Sequence, residues 1–234
     1  SEAGVDRAVI VQPIHYLYDN RYVAECRRRF PGKFAAIGLV DRQAPDAPDQ
    51  LQRLVEEEGF SGLRIHTSRP DDPSEWAAPD QDRIWRRAEE LGADAVMVAP
   101  PSVMAVTGDE LRGYFRSISD AIDAPIFMPD QPAAPVAPAL AARIAREGGN
   151  ACYAKVETPP TAPRVAQAVE AGGGALIVFG GAGGNMLIEE LRRGAAGTMP
   201  HCAAPELFRR VWDLYRDGAE AEAQREFDRF APLL

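Results

Sequence analysis

Short apolar runs alternate along this chain with longer stretches whose apolar positions recur at helical spacing. The runs predict strands and the spaced stretches predict helices. "RAVIVQP" (7–13) leads into "NRYVAECRRRF" (20–30), and "FAAIGLVD" (34–41) into "DQLQRLVEEEG" (49–59). "SGLRIHT" (61–67) precedes "DRIWRRAEELG" (82–92), and "DAVMVAPP" (94–101) precedes "GDELRGYFRSISDAI" (108–122). "APIFMPD" (124–130) is followed by "PALAARIAREG" (138–148), and "CYAKVET" (152–158) by "APRVAQAVEAG" (162–172). "ALIVFGG" (175–181) precedes "NMLIEELRRGA" (185–195). "AGTMP" (196–200) then leads to "PELFRRVWDLYRDG" (205–218) and a closing helix over 221–233.

That order makes eight βα units. The strands are nearly continuous apolar runs, the pattern of parallel strands covered by helices. Gly59, Gly92, Gly148 and Gly172 stand at helix ends, where a left-handed residue stops the helix. Eight such units in 234 residues have the size and rhythm of a closed (βα)₈ TIM barrel, an α/β fold. An open doubly wound sheet is the alternative. No linker interrupts the pattern, so residues 1–234 are expected to form one domain.

Composition narrows the function classes. A net charge of −9 argues against nucleic acid as a partner. The arginine runs 27–29, 86–87 and 192–193 fall on expected helices beside acidic residues, as solvated faces do. Cys26, Cys152 and Cys202 are odd in number and far apart, which speaks against a disulfide framework and fits a reducing cytoplasm. No apolar run is long enough to cross a membrane, and no signal peptide is recognised. The first residue is Ser1, which reads as a trimmed or engineered start. Self-association is compatible with the sequence.

One residue departs from the chain's habits. Only Lys33 and Lys155 are lysine; every other Lys/Arg position is arginine. Lys33 follows Pro31-Gly32 at an expected turn and should be solvated. Lys155 lies within the strand "CYAKVET", where Tyr153, Val156 and Thr158 suit a pleated sheet and Pro159-Pro160 end it. Alternation puts Tyr153, Lys155 and Glu157 on one face and Ala154 and Val156 on the other. The face with the lysine is expected to line the barrel near the carboxyl ends of its strands, where active sites of this fold lie. A primary amine there attacks a carbonyl and forms a Schiff base, which a guanidinium cannot do. The competing reading is an ammonium that pairs with Glu157 or reaches the rim.

Other polar residues stand at the same strand ends, among them Gln12, His15, Asp41, Arg42, His66, Thr67, Ser102, Asp130, Gln131, Asn185, Thr198 and His201. Such convergence follows from the fold alone. Arg42, Arg64 or Arg69 is a candidate to hold a substrate carboxylate, and His66 and Thr198 are candidate substrate contacts. "FGGAGGN" (179–185) precedes a helix, so backbone N–H groups at Gly180, Gly181 and Gly183 are candidates for binding an anion. The competing reading is a tight strand-to-helix turn. The three histidines form no His-x-His pair, and no metal or cofactor is expected.

The stretches "GADAVMVAPP", "ELRGYFRSISDAIDAPIF", "YAKVE" and "LRRGAAGTMPHCAAPELFRRVWDLYRDGAEAEAQREFDRFAPLL" resemble the dihydrodipicolinate synthase and N-acetylneuraminate lyase family, as its strands four to eight. The resemblance implies that Lys155 is the Schiff-base lysine. It also implies a tyrosine and an asparagine at the end of strand five. Here that stretch is "FMPDQPAAP", the tyrosine's place falls near Pro129, and Asp130 is left as a candidate acid or base. The family's Gly-Thr-Thr-Gly-Glu carboxylate motif, which belongs to strand two, does not occur. The stretches "AGVDRAVIVQPIHYLYDNRY", "RRRFPGKFAAIGLVD" and "LVEEEGFSGLRIHT", followed by "IWRRAEELGA", resemble the amidohydrolase superfamily, in its decarboxylase- and lactonase-like branch, as strands two to four. The strand of that superfamily that carries its His-x-His pair is missing.

Together the two resemblances imply a chimera, 1–92 from one parent and 93–234 from the other, closing one barrel from three plus five βα units. The start cuts into what would be a helix of the first parent, which favours an engineered over a natural fusion. Three functions follow. The first is a Schiff-base lyase or aldolase for a small 2-oxo acid, with Lys155, Glu157 and Asp130 as its chemistry and activity impaired by the lost motifs. The second is a chimeric scaffold without an evolved substrate. The third is metal-dependent hydrolysis or decarboxylation, against which the missing metal pair counts.

Overall fold

A computed structural model describes residues 8–64, 82–101, 106–200 and 204–233. His66, Thr67, Arg69, Ser102, His201 and Cys202, named above, lie outside the described residues. The fold is α/β with two parallel sheets. The first sheet runs β1 (Ala8–Val11), β2 (Phe34–Leu39) and β3 (Gly62–Arg64) in chain order. Its register pairs Ala8 with Phe34 and Ile37 with Gly62. The second runs β4 (Val96–Met97), β5 (Ile126–Asp130), β6 (Tyr153–Val156) and β7 (Ile177–Gly180). There Phe127 pairs with Tyr153, and Tyr153 with Ile177. Nine α-helices are described: α1 (Arg21–Arg29), α2 (Ala47–Glu56), α3 (Asp82–Glu90), α4 (Gly108–Ala121), α5 (Pro138–Gly148), α6 (Thr161–Gly172), α7 (Leu187–Leu191), α8 (Pro205–Arg216) and α9 (Glu220–Phe230).

Local chemistry explains the boundaries. Thr107 caps α4 by accepting from the Glu110 N–H, while Glu110 reaches back to the Thr107 N–H, a capping box. Pro138 and Pro205 open α5 and α8 at positions where no N–H is needed. Gly59 and Gly92 have positive φ, as expected. At the doublets 148–149 and 172–173 the first glycine stays helical and the second takes a positive φ, left-handed at Gly173. The expected strand over 94–101 is two residues long, and the expected eighth strand over 196–200 is a single bridge from Thr198 to Gly180. Small residues and Gly197 in "AGTMP" offer little side chain to hold a longer pleat.

The chain divides into two compact units. Of the described residues, one holds those from 8 to 96 together with those from 101 to 125; the other holds 97–100 and those from 126 to 233. In the first, Val23, Ala24, Ala36 and Phe60 pack with Ile10 and Leu54. In the second, Met128, Ala154, Val156 and Val178 are buried on one face of the sheet, as are Ala142, Val165 and Ala168 on α5 and α6. No helix among the described residues is long and apolar enough to cross a membrane.

Candidate functional site

Alternation along β6 is the geometry on which the site depends. Ala154 and Val156 are buried, whereas Tyr153, Lys155 and Glu157 are half-buried, so the lysine and the glutamate share the face opposite the helices. Lys155 Nζ lies 3.0 Å from Glu157 Oε1, with the two side chains 18% and 20% exposed. Gln131 Nε2 donates to Glu157 Oε2 at 3.1 Å. The amine, the carboxylate and the amide thus form one connected row at the carboxyl ends of β5 and β6. Register sets Lys155 between Pro129 on β5 and Phe179 on β7. One step back along the same face, Phe127 and Tyr153 stack at 4.4 Å between ring centres, and Phe179 tilts against both. The lysine therefore rises from an aromatic floor with a carboxylate within ion-pair distance.

Asp130, the candidate acid or base, does not join that row. It pairs in register with Val156, so its side chain turns to the helix-covered face. There both carboxylate oxygens accept from Arg164, Nε to Oδ2 and a terminal nitrogen to Oδ1, each at 2.8 Å. The Val136 N–H and the Thr158 hydroxyl donate to Oδ1 as well. Three donors meet Oδ1 and one meets Oδ2, so Asp130 serves as a clamp between β5, the segment after β6 and α6. Its backbone carbonyl accepts from the N–H groups of Glu157 and Thr158, which ties the end of β6 to the end of β5.

The glycine-rich turn makes room for two glutamates, and the Gly180 N–H is engaged by the Gly197 carbonyl. A Cβ on Gly180 would run into the carboxylate of Glu190, and a Cβ on Gly181 would run into Cγ of Glu157. Both positions are glycine because glutamate side chains occupy the space. Gly183 has φ +75 in the turn over 182–184, where glycine is the residue without steric cost. Thr198 bridges Gly180 in parallel register, so it shares the helix-covered face and turns away from Lys155; its hydroxyl is buried without a hydrogen-bond partner among the described residues.

Arg42 follows β2 in the first unit, where its charge opposes the upward push that burial gives the Tyr114 phenol. Arg64 ends β3 and is exposed. His15 is exposed in a 3₁₀ turn over Ile14–Tyr16. Among the described residues no group of three or more His, Cys, Asp or Glu side chains gathers as a metal site. Lys33 is half-buried at its turn and not fully solvated as expected.

Sequence reasoning missed Gln131's bond to Glu157, Arg164's grip on Asp130, and Glu190. Period-two alternation would have found the aromatic floor, since Phe127 and Phe179 stand in phase with Tyr153. Nothing local marks Arg164 or Glu190, because each meets its partner across 29 to 34 residues.

Comparison with known proteins gives two kinds of match. A family model described as amidohydrolase matches residues 1–149, so the expected join at 92–93 falls inside the matched span. The L-2-keto-3-deoxyarabonate dehydratase of Azospirillum brasilense is 32% identical over 155 residues, 63% of this chain and 50% of that protein. The L-fucono-1,5-lactonase of Burkholderia ambifaria is 33% identical over 64 residues, 27% of this chain and 22% of that protein. The chain thus spans half or less of the length of these curated relatives. A prophage protein of the dihydrodipicolinic acid synthase family from E. coli K12, solved in complex with pyruvate, matches 96% of this chain and 80% of its own, with a TM-score of 0.66 at 17% identity. That likeness shows the fold: it is the (βα)₈ barrel type expected from the sequence.

Proposed function

The chain belongs to the amidohydrolase family through residues 1–149, and from that premise we propose that its chemistry nevertheless comes from the lyase-like second unit. The proposed reaction is Schiff-base formation by Lys155 with a small 2-oxo acid, followed by proton transfer at the carbon next to the imine. The observation that carries this reading is the placing of a primary amine at the carboxyl ends of the strands, above an aromatic face, with Glu157 3.0 Å away, a pairing that the competing ion-pair reading expects as well. Glu157 takes a proton from the ammonium, the amine adds to the C2 carbonyl, and the carbinolamine hydroxyl, protonated by Glu157, leaves as water to give the iminium. The iminium then draws electrons from the C3–H bond. Glu157 takes that proton and returns it, or delivers it to a hydroxyl that leaves as water from C4. Gln131 holds the second oxygen of Glu157 and keeps the carboxylate facing the amine. The relative named for dehydrating a 2-keto-3-deoxy acid supports this substrate class.

Turnover is expected to be slow. Pro129 stands opposite Lys155 and brings no hydroxyl, and the chain has no Gly-Thr-Thr-Gly-Glu motif to hold a carboxylate. Each such contribution is worth about 10²–10⁴ in rate. A chimeric origin is the companion proposal, supported by an amidohydrolase match and a dehydratase relative on the same chain. The test is exchange of the pyruvate methyl protons in D₂O, followed by NMR. Protein-dependent exchange that Lys155→Arg abolishes and Glu157→Gln slows at least tenfold is expected. Equal exchange with wild type and Lys155→Arg would remove the proposal.

A further inference from the structure

Two successive glycines at the end of β7 each make room for a different glutamate. Gly180 faces the helix layer, where the Glu190 carboxylate fills the space a side chain would take; Gly181 faces the other way, against Cγ of Glu157. Glu190 is 1% exposed. The Thr161 hydroxyl, at the start of α6, donates to its Oε1 at 2.5 Å, and its Oε2 has no hydrogen-bond partner among the described residues. Its backbone carbonyl accepts from the N–H groups of Arg193 and Ala195, which feed the bridge at Thr198. Gly180 is bonded to that segment on both sides, donating to Gly197 O at 2.9 Å and accepting from the Met199 N–H at 3.0 Å. The strand end is thus a thin plate with one carboxyl behind it and another in front.

We propose that Glu190 is a positioning residue: held by Thr161, it props the Gly180–Gly181 plate so that Gly181 seats Glu157 beside Lys155. The inference rests on the reading of Lys155 and Glu157 as the reactive pair. Burial pushes the Glu190 carboxyl up from its ordinary range, with the Thr161 hydrogen bond acting the other way, which suits a wedge more than an ion-pair partner. A buried wedge acts through shape, so an isosteric amide should replace it, whereas truncation leaves a void that the plate can sink into.

Competitive trace acetylation with acetic anhydride tests this without any 2-oxo acid. The chain has two lysines, so peptide mass spectrometry gives a Lys155-to-Lys33 labelling ratio directly. Glu190→Ala should raise that ratio about two- to fivefold, the span expected when a half-buried ion pair is released. Glu157→Gln should raise it equally, and adding Glu190→Ala to Glu157→Gln should raise it no further. Glu190→Gln should stay at the wild-type ratio. If Glu190→Ala does not fold, Thr161→Val, which removes the orienting hydroxyl at constant volume, must move the ratio in the same direction. An unchanged ratio in the folded truncation or in Thr161→Val, or additive effects in the double variant, would overturn the proposal. Failure of pyruvate chemistry in the wild type, with these ratios as expected, would remove the proposed reaction and leave the wedge standing.

Discussion

Replacing Arg164 by methionine should be among the most damaging single changes in the second unit. Asp130 is buried, its side chain 5% exposed, and Arg164 supplies two of its hydrogen bonds, both at 2.8 Å. The variant leaves a buried carboxylate with the Val136 N–H and the Thr158 hydroxyl as its remaining donors. It also removes a donor from the Val136 carbonyl. Hydrogen bonds to charged groups contribute about 1.5–3 kcal/mol each, and breaking a buried pair from one side costs about 3–5 kcal/mol. Arg164 is 20% exposed, so water relieves part of this, and about 3 kcal/mol is expected. For a chain of this length that lowers the melting temperature by about 6–12 °C, read by circular dichroism at pH 7. Asp130→Asn should cost about 2 kcal/mol, because it removes the charge but keeps an acceptor. The double variant Asp130→Asn/Arg164→Met should cost less than the sum of the two, since neither then strands a charge. A fall under about 2 °C for Arg164→Met, or strict additivity, would refute the clamp as the link between β5, β6 and α6.

Glu190 carries a pH signature. Its folded carboxyl is raised by burial, so the folded state holds a proton that the unfolded chain releases. The stability it contributes is complete below the ordinary glutamate range and is lost as pH rises through the raised value. Glu190→Gln should therefore flatten the decline in melting temperature above about pH 5; a decline identical to wild type would contradict this. Pro129→Tyr puts a phenol on the strand position paired with Lys155. It should speed pyruvate methyl exchange by about tenfold or more, provided the variant melts within a few degrees of wild type; unchanged exchange in such a folded variant would show that a hydroxyl there is not what limits the rate.

The fold was legible because apolar runs and helical spacing are local signals, and the two parallel sheets follow them closely from β1 to β7. Lys155 is legible for a similar reason: alternation along "CYAKVET" puts it on a face with Tyr153 and Glu157, and those three are half-buried where Ala154 and Val156 between them are buried. The face that Asp130 takes is not legible, because its position on β5 says nothing of phase relative to Lys155; the register with Val156 decides that. At Gly180 and Gly181 sequence shows that a side chain is missing but not that Glu190 and Glu157 fill the gap. The eighth strand was over-read, since "AGTMP" has the apolar character of a strand but forms only the Thr198 bridge.

The central claim is that the Lys155 amine condenses with a 2-oxo acid, and borohydride trapping reads it most directly. Protein incubated with pyruvate and sodium borohydride should gain the mass of one reduced adduct, located on the peptide containing Lys155 and absent from the peptide containing Lys33. Lys155→Met should abolish the gain while remaining folded. A wild-type protein that gains no mass, or gains it equally at Lys33 and Lys155, would contradict the account.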